Sequence, residues 1–143
     1  VVAQDGMVVL DQQPRVFGTL DAPQEYLDAI MEGMRGVVSE EEGTASNFFK
    51  NFPEEYLNQL AGKTGTAQVS TTDLENNSWF VCFAPYSADD PSVKPEIAVV
   101  VYVPHGYQGG LSSYVAQDII RYYMDQKKVV AEQTIPDPDS LVY

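Results

Sequence analysis

"LAGKTGTAQVS", Leu60 to Ser70, sets one lysine and two threonines between glycines and then runs into residues fit for a strand. Two more apolar stretches follow it, "SWFVCFA" (Ser78 to Ala84) and "PEIAVVVYV" (Pro95 to Val103), both rich in the β-branched and aromatic residues that suit a pleated surface. With "KTGTAQVS" (Lys63 to Ser70) they predict three strands. The segments between them, "TTDLENN" (Thr71 to Asn77) and "PYSADDPSVKP" (Pro85 to Pro95), are too short for a helical crossover, so the pairing predicted is an antiparallel meander. The last strand is apolar without alternation, the pattern of a strand covered on both faces.

Helices flank this middle. After "GYQGG", Ser112 or Ser113 is placed to cap a helix in which Val115, Ile119, Ile120 and Tyr123 share a face, and Lys127 and Lys128 would close it where cations suit the dipole. Ahead of the strands, Asp21 is a candidate cap, Pro23 fits a first turn, and Tyr26, Leu27, Ile30, Met31 and Met34 recur at helical spacing until Gly33 and Gly36 weaken the end. "MVVL" (Met7 to Leu10) and "PRVFG" (Pro14 to Gly18) read as short strands or extended segments. "TIPDPDSLVY" at the end has two prolines and little that packs, which reads as a mobile tail. Residues 1–130 are therefore expected as one structural portion and 131–143 as a flexible tail.

A chain of 143 residues can bury roughly 68% of its unfolded surface, and 44% hydrophobic against 20% charged residues is a globular balance that argues against general disorder. Eight Lys plus Arg against 21 Asp plus Glu give a formal charge of −13, a surface that repels phosphate backbones and anionic lipid, so nucleic acid is excluded as a natural partner. Cys82, the single cysteine, can form no internal disulfide and sits in an apolar run without a nearby cation, which reads as a core residue. The run Glu40 to Glu42 reads as a solvated loop, and no metal site or cofactor is called for. Asp89, Asp90, Asp137 and Asp139 read as turn and tail acids, and His105 as a solvated turn residue. The longest aliphatic run, "IAVVVYV", is far short of the ~20 residues of a spanning helix, and an opening on Val1 suggests a piece of a longer protein whose leader or anchor would lie upstream.

Lys-Thr-Gly at the start of a sheet strand is one of three motifs of the penicillin-recognising serine enzymes, beside Ser-x-x-Lys and Ser-Asp-Asn or its variants. As a bare tripeptide it better fits an ordinary strand-edge lysine beside a bulge. Here it is extended to "AGKTGTAQ" (Ala61 to Gln68), then "NSWFVCFAPY" (Asn77 to Tyr86), "PEIAVVVYV" and "GYQGGLSSYVAQDIIRYYMD". That series, with the earlier "IMEGMRGVVSEEEGTASNFF", closely resembles the C-terminal part of class B penicillin-binding proteins, the monofunctional D,D-transpeptidases of cell-wall synthesis, and most nearly their elongation-type members. The resemblance runs from about Tyr26 to Asp125. It implies an α/β (α+β) fold of the penicillin-binding and serine β-lactamase kind: an antiparallel sheet with flanking helices, of which only the C-terminal portion is present.

The resemblance also implies roles. A serine attacks the carbonyl between two D-alanines of a peptidoglycan stem peptide, and β-lactams take the same path. Lys63 would supply positive potential and join the proton-transfer network; Thr64 and Thr66 would meet the terminal carboxylate; Gly65 would let the substrate backbone approach; the Thr66 amide would be an oxyanion donor. The catalytic residues implied are Lys63 and Thr66, the substrate-binding residues Thr64, Gly65 and Thr66. No serine stands in Ser-x-x-Lys and no Ser-x-Asn triplet occurs. The nucleophile is thus expected upstream, in the remaining N-terminal part of the same transpeptidase, and this chain alone is expected to be inactive. An apolar face left without that part would favour pairing with it or homodimerisation. The loop Ser70 to Asn77 is a candidate for the cleft rim. Membrane anchoring upstream, with this domain outside the cytoplasmic membrane, follows from the resemblance only. A β-lactam sensor or β-lactamase-like relative, and a noncatalytic interaction module, are the alternatives.

Overall fold

The computed structural model describes Met7, Gln13, residues 15–69 and residues 74–134, without the side chains of 132–134. Its elements run α1 (Gln24–Ser39), a 3-10 turn (Ser46–Phe48), α2 (Glu54–Leu57), β1 (Ala61–Ala67), β2 (Asn77–Ala84), β3 (Ile97–Val103) and α3 (Ser113–Thr134). The strands form one antiparallel sheet in the order β1-β2-β3, as the short connections require.

Register decides which residues face the core. Thr64 pairs with Phe80 and Phe80 with Val101, while Gly62 pairs with Cys82 and Cys82 with Val99. Because side chains alternate along a strand, this set shares one face. On it lies the core: Phe80, Leu60, Phe49 and Ile120 are essentially sealed from solvent, joined by Val38, Ala45, Phe52, Tyr56, Ala116 and Met124. The rings of Phe49 and Phe80 lie 5.9 Å apart. Gly62 is required there, since a Cβ on it would come within 2.8 Å of the Phe80 ring.

The opposite face carries Lys63, Trp79, Val81, Val100 and Tyr102 by the same register. Here the expectation of a β3 covered on both faces fails: Val100 is 65% exposed, Tyr102 45% and Trp79 38%. The cause is placement, because α3 and the segment from the end of α1 through α2 all pack on the Phe80 face. Trp79 and Tyr102 cover each other instead, with ring centroids 4.3 Å apart.

The helix ends differ from expectation in detail. α1 is capped by Pro23, which makes no side-chain cap bond, and not by Asp21. It continues past Gly33 and Gly36 to Ser39, because Gly36 and Val38 are buried and Glu40 N–H still reaches the Gly36 carbonyl. Its front half buries less than its periodicity predicts, with Tyr26 and Ile30 exposed. At α3 the Ser112 and Ser113 hydroxyls turn back to the carbonyls of Gly109 and Gly110. Lys127 and Lys128 do not close the helix, which runs to Thr134 and so includes residues 131–134 that were expected in the tail. The two lysines pair with Glu96 and Glu55, each at 2.7 Å, and these exposed bridges contribute little. Tyr56 also donates to Asp125, tying α2 to α3. Residues 15–20 carry no regular structure; residues 8–10, 14 and 135–143, where a strand, part of an extended segment and the tail were expected, lie outside the described residues.

Candidate active site

β1 is one of the two edge strands of the sheet, with α1 packed along it, and it carries Lys63, Thr64, Gly65 and Thr66 in one run. The strand's alternation splits them. Lys63 and Gly65 stand opposite Val81 and Trp79 on the uncovered face; Thr64 and Thr66 stand opposite Phe80 and Ser78 on the core face. Lys63 is exposed, and its Nζ donates to the Thr64 carbonyl at 2.6 Å. The Thr64 hydroxyl shares a 2.8 Å hydrogen bond with the hydroxyl of Thr44, from the Gly-Thr-Ala segment that follows α1. Ala45 of that segment is fully buried. Of the four residues expected to act together, Lys63 and Gly65 thus face one side of the sheet and Thr64 and Thr66 the other, on a strand whose partner β2 is anchored in the core.

Thr66 has a neighbour that sequence reasoning missed. The loop after β3 folds back across the sheet so that Gly109 N–H donates to Thr66 Oγ1 at 3.0 Å. Gly109 lies so close to the strand that a Cβ on it would meet Gly65 O at 2.5 Å and Gly65 N and C at 2.8 Å. The signal was the doubled glycine in "GYQGG", since paired glycines outside a helix mark close backbone approach. His105, in the same loop, is exposed; its N–H is held by Asn77 Oδ1 and its Nδ1 lies 3.1 Å from the Glu75 carbonyl. Residues 70–73, half of the loop expected at the cleft rim, lie outside the described residues.

Other chemistry is quiet. Burial pushes the Cys82 thiol up to about 12, which leaves it protonated and unreactive as a nucleophile. Among the described residues no cluster of three or more His, Cys, Asp or Glu side chains could hold a metal ion, and no helix is long and apolar enough to cross a membrane. Two concavities, of about 920 and 640 Å³, lie at the acidic loop after α1 and between α1 and the loop joining β2 to β3. Neither is lined by a residue of β1.

The family described as penicillin binding protein transpeptidase domain matches residues 2–125. This chain belongs to that family. Among solved structures it is similar to penicillin-binding protein 2 (PBP2) of Helicobacter pylori, determined as a complex with MreC, with 27% identity and a TM-score of 0.53. That likeness covers 71% of this chain and 18% of that one, so the chain spans under a fifth of the relative's length. No curated protein matches it. Membership in the transpeptidase family and the partial antiparallel sheet with flanking helices are both as the motif series led one to expect.

Proposed function

We propose that this chain forms the Lys-Thr-Gly wall of the active site of a class B, elongation-type peptidoglycan D,D-transpeptidase. The observation that carries the proposal is the edge strand itself: Lys63, Thr64, Gly65 and Thr66 are contiguous on β1 in a chain of the transpeptidase family. A stem peptide ending in D-Ala-D-Ala lies along that edge as an added strand would. A serine from the remaining N-terminal part attacks the carbonyl between the two D-alanines. The acyl bond forms on its oxygen, the terminal D-alanine leaves with a proton, and an amine from a second stem peptide takes the acyl group.

Each motif residue has a physical task in this reading. In a chain of formal charge −13 an anionic substrate is repelled at long range, and Lys63 is the local cation that offsets this at the motif. It also sits in the proton-transfer network of the nucleophile. The hydroxyls of Thr64 and Thr66 bind the terminal carboxylate, or the carboxylate of a β-lactam. The Thr66 amide is one donor of the oxyanion hole, and Gly65 lets the substrate backbone come near. Lys63 shares its sheet face with Trp79, Val81, Val100 and Tyr102, so that face takes the remaining part of the transpeptidase and the nucleophile comes to lie beside the lysine. The intact protein is anchored at the outer face of the cytoplasmic membrane by a segment upstream.

Labelling with a fluorescent penicillin, on this chain and on the intact protein that carries it, tests the proposal. A labelled intact protein beside an unlabelled 143-residue chain is the expected result. Label on the isolated chain would overturn the upstream nucleophile, and label that forms and is quickly lost by hydrolysis would favour a β-lactamase-like enzyme. No label on either would favour a noncatalytic module.

A further inference from the structure

We infer that Ser78 and Ser112 are positioning residues for Thr66, a pair of buried hydroxyls that hold the Gly109 peptide against the motif strand and so aim the Thr66 hydroxyl at an anion; the inference rests on the transpeptidase reading. Both serines are sealed from solvent, Ser78 completely and Ser112 at 1% exposure. Their hydrogen bonds form one connected set. Ser78 Oγ donates to the Gln108 carbonyl at 2.7 Å and accepts from Ser112 N–H at 3.2 Å. Ser112 Oγ donates to the Gly109 carbonyl at 2.9 Å. The Gly109 peptide is thus gripped on both sides, and its own N–H is delivered to Thr66 Oγ1 at 3.0 Å.

That last bond has a directional consequence. A threonine hydroxyl has one proton to give and lone pairs to receive with. Here a lone pair is engaged by Gly109 from the loop, so the proton is left to donate elsewhere, and Thr66 is an exposed residue. A hydroxyl whose proton is turned outward is a preformed donor to a carboxylate, and hydrogen bonds to a charged acceptor are the strong kind. The loop is also over-determined. His105 and Tyr107 take left-handed backbone angles, φ 53° and 70°, that non-glycine residues adopt only under constraint, and their N–H groups are held by Asn77 Oδ1 and the Asn76 carbonyl. Strand β2, through residues at its start, therefore sets the loop, and the loop sets Thr66.

The test uses the intact protein and two probes, benzylpenicillin and its methyl ester, which differ only in the carboxylate that Thr66 would receive. The readout is the second-order rate of acylation by each. Ser78→Ala and Ser112→Ala are expected to slow benzylpenicillin about ten- to a hundredfold, the cost of a misplaced catalytic contact, and the ester less than threefold. Ser113→Ala is the control. Its hydroxyl is equally buried and bonds the Gly110 carbonyl without touching Gly109, so its ratio of the two rates should stay as in the unaltered protein. Equal slowing of both probes by Ser78→Ala and Ser112→Ala, no slowing, or the same change of ratio in Ser113→Ala would overturn the inference. Should Ser78→Ala fail to fold, Ser112→Ala decides alone, because it removes a grip on Gly109 while leaving Ser78 in place. An unaltered protein that forms no adduct at all sinks the transpeptidase reading, and this role with it.

Discussion

Replacing Gly109 by alanine tests whether the loop after β3 and the motif strand are one mechanical unit. The added Cβ would stand 2.5 Å from Gly65 O and 2.8 Å from Gly65 N and C, and all three are backbone atoms of a paired strand that cannot swing aside. Relaxed carbon contacts need roughly 3.5 Å, so the loop must retreat by about 1 Å. The 3.0 Å bond from Gly109 to Thr66 then stretches to about 4 Å, beyond hydrogen-bonding range. Overpacking of this size costs about 1–3 kcal/mol, and the lost bond adds about 1 kcal/mol. For a domain of this size that lowers the melting temperature on the order of 10 °C. Circular dichroism on the intact protein measures it, with Gly33→Ala alongside. Gly33 is mid-helix with nothing within 4 Å of an added Cβ, so that variant should gain about 0.5–1 kcal/mol from helix propensity. If Gly109→Ala melts within 2 °C (~0.5 kcal/mol) of the unaltered protein, the loop does not press on the strand as argued.

Phe80→Ala removes the side chain at the centre of the core, fully buried between the sheet and Phe49, and should cost about 3–5 kcal/mol in a urea titration. Lys63→Gln should do the reverse. Being exposed, with a backbone carbonyl as its partner among the described residues, it should leave stability within about 0.5 kcal/mol, while penicillin acylation falls by at least tenfold; a loss of stability instead would make Lys63 a structural residue. Cys82 gives a pH dependence whose sign is fixed. Its folded pKa is raised from 9.0 to about 12, so its contribution is intact below pH 9 and is lost as pH rises toward 12, at about 1.4 kcal/mol per unit. Cys82→Ala should therefore lose less stability than the unaltered protein between pH 8 and pH 10.5, by about 2 kcal/mol in paired denaturant titrations; parallel pH profiles would contradict this.

The sheet was legible because its signals are local. β-Branched runs with short polar connections leave one pairing pattern open, and the meander follows from it. Helix ends were less so. Asp21 is an apt cap by type, but the backbone is already turned at Pro23, and the burial of Gly36 and Val38 carries α1 past two glycines that propensity alone would treat as a stop. Lys127 and Lys128 looked like a helix end for want of any view of Glu96 and Glu55, their partners, which lie 31 and 73 residues back along the chain. The site divides the same way. Lys63 through Thr66 are proposed from the motif and its flanks, whereas Gly109 comes to Thr66 from 43 residues away and only the doubled glycine hinted at it.

The apolar run of β3 carries a further lesson about burial. Seven residues without polar alternation predict cover on both faces, yet within this chain only Val99 and Val101 are buried while Ala98, Val100 and Tyr102 face outward. Apart from the mutual cover of Trp79 and Tyr102, such exposed valine and tyrosine gain little on a solvated face and risk association. The pattern therefore fits the proposal that the remaining part of the transpeptidase covers this face. Lys63 lies on the same face, two strands away from Val100 by register. On the proposed function, a partner that covers the valine and tyrosine also comes close to the lysine. Under the proposed function, the part that covers this face also brings the nucleophile toward Lys63, while Thr64 and Thr66 meet the substrate from the other side of the same edge strand.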